Sequence, residues 1–239
     1  MSDRSRVFLR GVTLAPHTPT EGFPFELAAV RQIESIDFAP VTVFAGDNGT
    51  GKSTIVEALV LMTGFNVEGG GRNLRFTTYE SHSDLHEHLI PKFRRQPQWG
   101  WFLRAETFYG MASRVSLDPD FDGRFPDLHS ESHGESFLDL AFERFQNPGF
   151  YLLDEPESAL SMQGQMTLAR LIWESVGRGS QFVIATHSPF LMAFPGASIY
   201  GFSMDGVEPI EFVDIPAVDL WKRFFVDPAG YYERLLSDD

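Results

Sequence analysis

The chain has 239 residues and no cysteine, enough length for a sizeable α/β core and no material for disulfides, thiolate zinc sites or thiol redox chemistry. Its 19 Lys and Arg stand against 33 Asp and Glu, for a net charge of −14, and only Lys52, Lys92 and Lys222 are lysines. Such a surface repels nucleic acid unless its few cations gather on one face. No apolar stretch approaches the ~20 residues that span a bilayer, and Asp3, Arg4 and Arg6 are not followed by the apolar run of a signal peptide. The expectation is a cytoplasmic protein with no membrane insertion.

Arg6 to Leu14 reads as a strand and the Pro-, Thr- and Gly-rich stretch His17 to Pro24 as a loop. Phe25 to Val30 reads as a second short strand. Val41 to Ala45 is an apolar run with the look of a buried strand, and Ser53 to Met62 reads as a helix. Gly64 to Arg75 is glycine-rich and irregular. Ser81 to Phe93 reads as a helix and turn. It carries His82, His86 and His88, of which the first two share a helix face, but no second ligand cluster accompanies them, so a solvated face is the better reading. Gly100 to Phe108 is a strand leading into a helix or loop. Asp118 to His129 is acidic and turn-rich without the spacing of a calcium loop.

Beyond it, Phe137, Leu138, Ala141, Phe142 and Phe145 recur at helical spacing within Glu135 to Gln146, and Asn147-Pro148-Gly149 ends that helix. Phe150 to Leu153 is a buried strand, Gln163 to Val176 a helix and Ser180 to Thr186 another buried strand. Short strands near Ser198–Phe202 and Pro209–Val213 and two C-terminal helices complete the chain. Buried strands alternating with helices predict a mostly parallel sheet covered on both faces, with the functional site at the carboxyl ends of the strands.

Three motifs fall at such ends. Gly46-Asp47-Asn48-Gly49-Thr50-Gly51-Lys52-Ser53 fits the P-loop pattern, and strand, loop and helix stand in the required order. Its glycines let backbone N–H groups turn inward on phosphate oxygens, and the helix N-terminus adds its dipole. Lys52 would reach the β- and γ-phosphates and Ser53 a magnesium ion, with Gly46, Asn48, Gly49, Thr50, Gly51 and Thr54 completing the cradle for ATP. Asp154-Glu155 follows four apolar residues as a Walker-B acidic pair. Asp154 would hold Mg²⁺ and Glu155 would orient the attacking water. His187 sits at the tip of the strand Ser180 to Thr186, placed to hydrogen-bond a γ-phosphate.

Leu153-Asp154-Glu155-Pro156, the Ser158-Ala159-Leu160-Ser161 that follows, and Ala185-Thr186-His187-Ser188-Pro189 resemble the Walker B, D-loop and switch-histidine motifs of the ABC-type ATPase superfamily. Ser132-His133-Gly134-Glu135 falls where that family carries its LSGGQ or LSGGE signature. Ser132, Gly134 and Glu135 match, whereas Glu131 and His133 depart. Ser132 and Glu135 also form a capping box for the helix they precede, and a capped helix start is itself an anion site. His-Ser-Pro after the switch strand and Gly-Glu in the signature are similar to the SMC, RecF, RecN and OLD branch, without the long coiled coil of SMC proteins.

The resemblance covers about residues 8–189. It implies one ABC-type head over residues 1–239, with a core lobe at about 1–65 and 148–239 and a small helical or irregular signature-bearing subdomain at about 66–147. It implies hydrolysis of Mg·ATP in an ATP-dependent head-to-tail homodimer, in which Ser132 and the Gly134 N–H touch the γ-phosphate held by a second copy. The family's Q-loop glutamine has no clean match. Gln96 and Gln98 lie in a polar loop, and Glu106 at the end of the GWFLRA strand takes the expected place as a metal-side ligand. Arg72, Arg75, Arg94 and Arg95 form the one plausible basic group for DNA, so weak or no DNA binding is expected from the isolated chain. A transporter's nucleotide-binding subunit and a nucleotide switch with little turnover remain as other readings.

Overall fold

The structure is a computed structural model that describes residues 7–71, 83–108, 110 and 133–237. A six-stranded sheet runs in the order β5-β6-β7-β3-β8-β9. Its strands are β3 (Val41–Gly46), β5 (Gly100–Arg104), β6 (Phe150–Asp154), β7 (Gln181–Thr186), β8 (Ser198–Ser203) and β9 (Gly206–Pro209). The first five are parallel, and β9 returns antiparallel along β8. A smaller antiparallel sheet of β1 (Leu9–Leu14), β2 (Ile36–Asp37) and β4 (Leu89–Phe93) has the order β2-β1-β4.

Alternation along the central strands explains why so many of them are apolar at every position. Phe44, Phe102, Phe150, Leu152, Val183 and Ala185 point into one core, which they share with β1 and with α2 (Lys52–Thr63). Val43, Leu103, Tyr151, Leu153, Phe182 and Ile184 point into a second core on the other face. Helices α3 (His133–Arg144) and α4 (Met162–Gly177) cover that face, together with α5 (Pro189–Met192) and the start of α6 (Pro216–Val226). The last helix, α7 (Pro228–Leu236), buries no residue and pairs with α6 through Phe224 and Tyr231.

Three segments differ from the sequence expectation. Phe25 to Val30 is not a strand: Ala28–Arg31 forms a short helix, α1, which buries Ala29 and Val30. An apolar run this short fits either period, and here Val30 and Arg31 donate to the Leu27 carbonyl at 2.9 Å. Within Ser81 to Phe93, the described residues 83–93 are not an α-helix either. A 3₁₀ turn over Asp84–Glu87 buries Leu85, and the chain then enters β4. β4 carries Pro91, whose missing donor is tolerated because β4 is the edge strand of the small sheet. The last strand is Gly206–Pro209 rather than Pro209–Val213, because the chain reverses at Met204-Asp205 and Ser203 pairs with Gly206. No helix among the described residues is long and apolar enough to cross a membrane.

The two sheets are tied together by Gln181, the buried first residue of β7. Its Oε1 accepts from the N–H groups of Phe8 at 2.9 Å and Leu9 at 3.0 Å, and its Nε2 donates to the carbonyls of Leu9 at 2.8 Å and Ala39 at 3.2 Å.

Candidate active site

The P-loop lies between β3 and α2. Gly46 pairs with Phe202 in the neighbouring strand, and a Cβ on it would sit 2.2 Å from the Phe202 carbonyl oxygen, so only glycine fits. Gly51 stands at the start of α2 with φ 98°, a left-handed conformation that turns the loop onto the helix axis. Thr50 Oγ1 donates to the Asp47 carbonyl at 2.8 Å and stiffens the loop. Lys52 is almost fully buried, and its ammonium donates to the carbonyls of Gly46 at 2.9 Å and Asp47 at 2.8 Å. Burial pushes its pKa down, against the pull of Glu155 and Asp154.

Asp154 ends β6 and is 3 % exposed. Ser53 Oγ donates to its Oδ1 at 3.0 Å, and Arg104 Nε donates to its Oδ2 at 2.8 Å. Burial raises the Asp154 pKa, and the Arg104 guanidinium and the Ser53 hydroxyl oppose that rise. Burial likewise works against the charge of Arg104, but Asp154 and then Glu57 outweigh it and hold that pKa above its usual value. Ser53 and Asp154 offer hard oxygen donors side by side, which suits Mg²⁺, an ion that takes one or two carboxylates and fills its other positions with water and phosphate.

Glu155 has φ 46° and ψ 49°, the one non-glycine residue at positive φ among those described, a conformation that costs about 1–3 kcal/mol. Its backbone N–H donates to the Ala185 carbonyl at 2.9 Å, and its Oε1 lies 3.3 Å from Nε2 of His187. The left-handed turn aims the carboxylate across the strand ends toward His187 instead of along the sheet. Two residues that the sequence did not single out hold this corner. Glu157 accepts from Thr186 Oγ1 at 2.8 Å and from the His187 backbone N–H at 2.5 Å. Gln165 of α4 accepts from Ser188 Oγ at 2.6 Å and donates to the Leu160 carbonyl at 3.3 Å. The segments after β6 and after β7 are thereby fastened to each other.

Two cavities open on these groups. One of about 590 Å³ is lined by Ser53, Arg104, Glu106, Asp154, Glu155 and Ala159. The other, about 170 Å³, is lined by Phe23, Asn48, Gly49, Gly51, Lys52, Ser53, Thr54 and Glu155. Phe23 is 66 % exposed beside the P-loop and was not legible as a site residue from its Pro- and Gly-rich surroundings. Glu106 is on the cavity wall, but the side chain that bonds Asp154 is Arg104. Gln96 and Gln98 precede β5 and so lie at the opposite end of the sheet from the site.

Gly134 and Glu135 begin α3 and line neither cavity. A Cβ on Gly134 would be 3.1 Å from the Ala159 carbonyl, so the helix start rests on the 3₁₀ turn Pro156–Ala159. Ser132, Arg72, Arg75 and His82 lie outside the described residues. His88 packs edge-on against Phe25 and His86 faces the Ser83 carbonyl, and among the described residues no three His, Cys, Asp or Glu side chains gather as a metal cluster.

A P-loop after β3, an acidic pair at the end of β6 and a histidine after β7, all on one edge of a parallel sheet, give the architecture of a P-loop ATPase domain. Comparison with known proteins agrees. A family profile described as "AAA domain" matches residues 25–96, and one described as "AAA domain, putative AbiEii toxin, Type IV TA system" matches residues 128–193. The chain is 26% identical over 177 residues to the cytochrome c biogenesis ATP-binding export protein CcmA of Rhodopseudomonas palustris (strain HaA2), covering 71% of this chain and 84% of that protein. It is 25% identical over 170 residues to the CcmA protein of Bradyrhizobium diazoefficiens, covering 68% and 84%. Its fold is similar to the SMC head domain from Thermotoga maritima, with a TM-score of 0.51, 19% identity and coverage of 86% of this chain and 100% of that one.

Proposed function

We propose that the chain binds Mg·ATP between its P-loop and the Asp154-Glu155 corner and hydrolyses it as an SMC/RecF-like head, in an ATP-dependent head-to-tail dimer. The observation that carries this reading is the convergence of Lys52, Ser53, Asp154 and Glu155 on two cavities at one sheet edge, with His187 Nε2 3.3 Å from Glu155. In the proposed cycle Lys52 leaves the loop carbonyls for the triphosphate. Ser53 and Asp154 hold Mg²⁺, which neutralises charge on the phosphate oxygens. Glu155 accepts a proton from the attacking water as His187 hydrogen-bonds the γ-phosphate. Phe23 offers a face on which the base stacks.

The position of α3 supports the dimer. Gly134 and Glu135 line neither cavity of their own chain, and in the proposed dimer they meet the γ-phosphate held by a second copy. Phosphate release by the wild type and light scattering of Glu155→Gln test both halves. The expected result is turnover in the wild type, and a variant that is monomeric without nucleotide and dimeric with Mg·ATP. A variant that stays monomeric in both conditions contradicts the sandwich.

Similarity to CcmA favours a second reading, the nucleotide-binding subunit of a membrane export system. Co-purification of a membrane protein with the tagged chain would select it. DNA is a weaker candidate partner. The net charge is −14, and Arg95, one of the few clustered cations, already lies 4.0 Å over the ring of Phe8. Fluorescence anisotropy with duplex DNA at physiological salt is expected to show no tight binding, and tight nucleotide-independent binding would overturn that.

A further inference from the structure

Asp154 has both carboxylate oxygens engaged within the chain. Oδ1 takes the Ser53 hydroxyl, and Oδ2 takes Arg104 Nε at 2.8 Å. The register of the sheet makes the second contact unavoidable: Arg104 and Asp154 are paired residues at the ends of β5 and β6, and both continue the face of Phe102 and Leu152, which looks toward α2. Arg104 has a second acceptor on that helix. Its Nη2 lies 3.5 Å from Oε2 of Glu57, one turn beyond Ser53. The guanidinium, itself on the wall of the larger site cavity, therefore spans from the Asp154 carboxylate to an acidic residue deeper along α2.

We propose that Arg104 is a resident counter-ion for Asp154, which Mg·ATP displaces on binding. The inference rests on the reading of this corner as a Mg·ATP site and adds a residue to it. A nearly buried carboxylate left unpaired is costly, so a cation has to stand by it when no metal is there. The same cation hinders a dication from approaching that carboxylate, because like charges repel and Arg104 occupies lone-pair positions that Mg²⁺ and its water would use. Glu57 supplies a place for the guanidinium to go, and its planar fork suits that carboxylate. Nucleotide entry, metal entry and the departure of Arg104 from Asp154 are then one exchange, in which Arg104 acts as a positioning residue.

The test is binding of fluorescent N-methylanthraniloyl-ATP to wild type, Arg104→Gln and Arg104→Lys, each with EDTA and with Mg²⁺. The quantity read is the ratio of the two dissociation constants. With the guanidinium gone, Asp154 repels metal-free nucleotide and gains more from Mg²⁺, so the ratio for Arg104→Gln rises by about tenfold or more, the equivalent of one charge-assisted hydrogen bond. Arg104→Lys keeps the charge, so its ratio rises less but in the same direction, and it serves alone if the glutamine variant does not fold. The nucleotide-free melting temperature of Arg104→Gln falls. A ratio within twofold of wild type in both variants overturns the proposal and makes Arg104 a structural strut. Loss of the Mg²⁺ effect also overturns it, since Arg104 would then belong to the Mg·ATP cradle. Wild type that binds no labelled nucleotide in either buffer overturns both the proposal and the ATP reading beneath it.

Discussion

At the amino ends of the central strands, Gln181 is buried and uses both ends of its amide on four backbone groups of Phe8, Leu9 and Ala39, beside the small sheet. At the carboxyl ends, Lys52 and Asp154 are as deeply buried but charged, and Glu155 is held in a left-handed turn. The cavities differ in part: the one near the amino end of β8, about 710 Å³, is walled by Pro195, Ala197, Ile199 and Phe212 among others, with Asp37 and Glu211 as its charged residues and no cation. A neutral, fully bonded polar group holds elements together, whereas a strained and charged one is kept only where something arrives to complete it. One end of the sheet holds the fold, and the other carries the candidate site, where the charged groups gather.

The largest effect is expected where stability resides. Gln181→Leu leaves the N–H groups of Phe8 and Leu9 and the carbonyls of Leu9 and Ala39 without their partners, at a cost of about 3–5 kcal/mol. Urea unfolding measures it, and the nucleotide affinity of the folded fraction should stay within about twofold of wild type. A loss under about 1 kcal/mol would show that Gln181 is not the tie described here.

Glu155→Gln should do the reverse. Turnover falls at least ~10²-fold by loss of the water-orienting carboxylate, while Asp154 still serves the metal. Steady-state phosphate release decides it, and near-normal turnover would remove Glu155 from that role. Phe23→Ala sharpens the outer margin of the same end. Loss of a stacking face should weaken labelled ATP about tenfold with little change in stability, and unchanged affinity would place the base elsewhere.

Much of the candidate site was legible because its motifs are local. Gly46 to Ser53, Asp154-Glu155 and His187 each sit where a strand stops, and the alternation of buried strands with helices gave the parallel sheet that gathers them. What escaped depends on pairing between distant segments. Arg104 is an ordinary strand-end arginine until register sets it against Asp154. Glu157 reads as part of an acidic turn until it meets Thr186 and His187. Gln181 looks like a solvated strand start, and only the second sheet explains its burial. Phe25 to Val30 and Ser81 to Phe93 were misread because short apolar runs fit either period.

The central claim is that the carboxyl end of the sheet is completed by Mg·ATP through Lys52. The direct measurement is the shift in melting temperature that Mg·ATP causes in wild type and in Lys52→Ala. A ligand at a hundredfold excess over its dissociation constant adds about 2.7 kcal/mol, or about 5 °C or more for a chain of this size. The account predicts that shift in wild type and its near-disappearance in Lys52→Ala, with the nucleotide-free variant still folded. An equal shift in both proteins would contradict it.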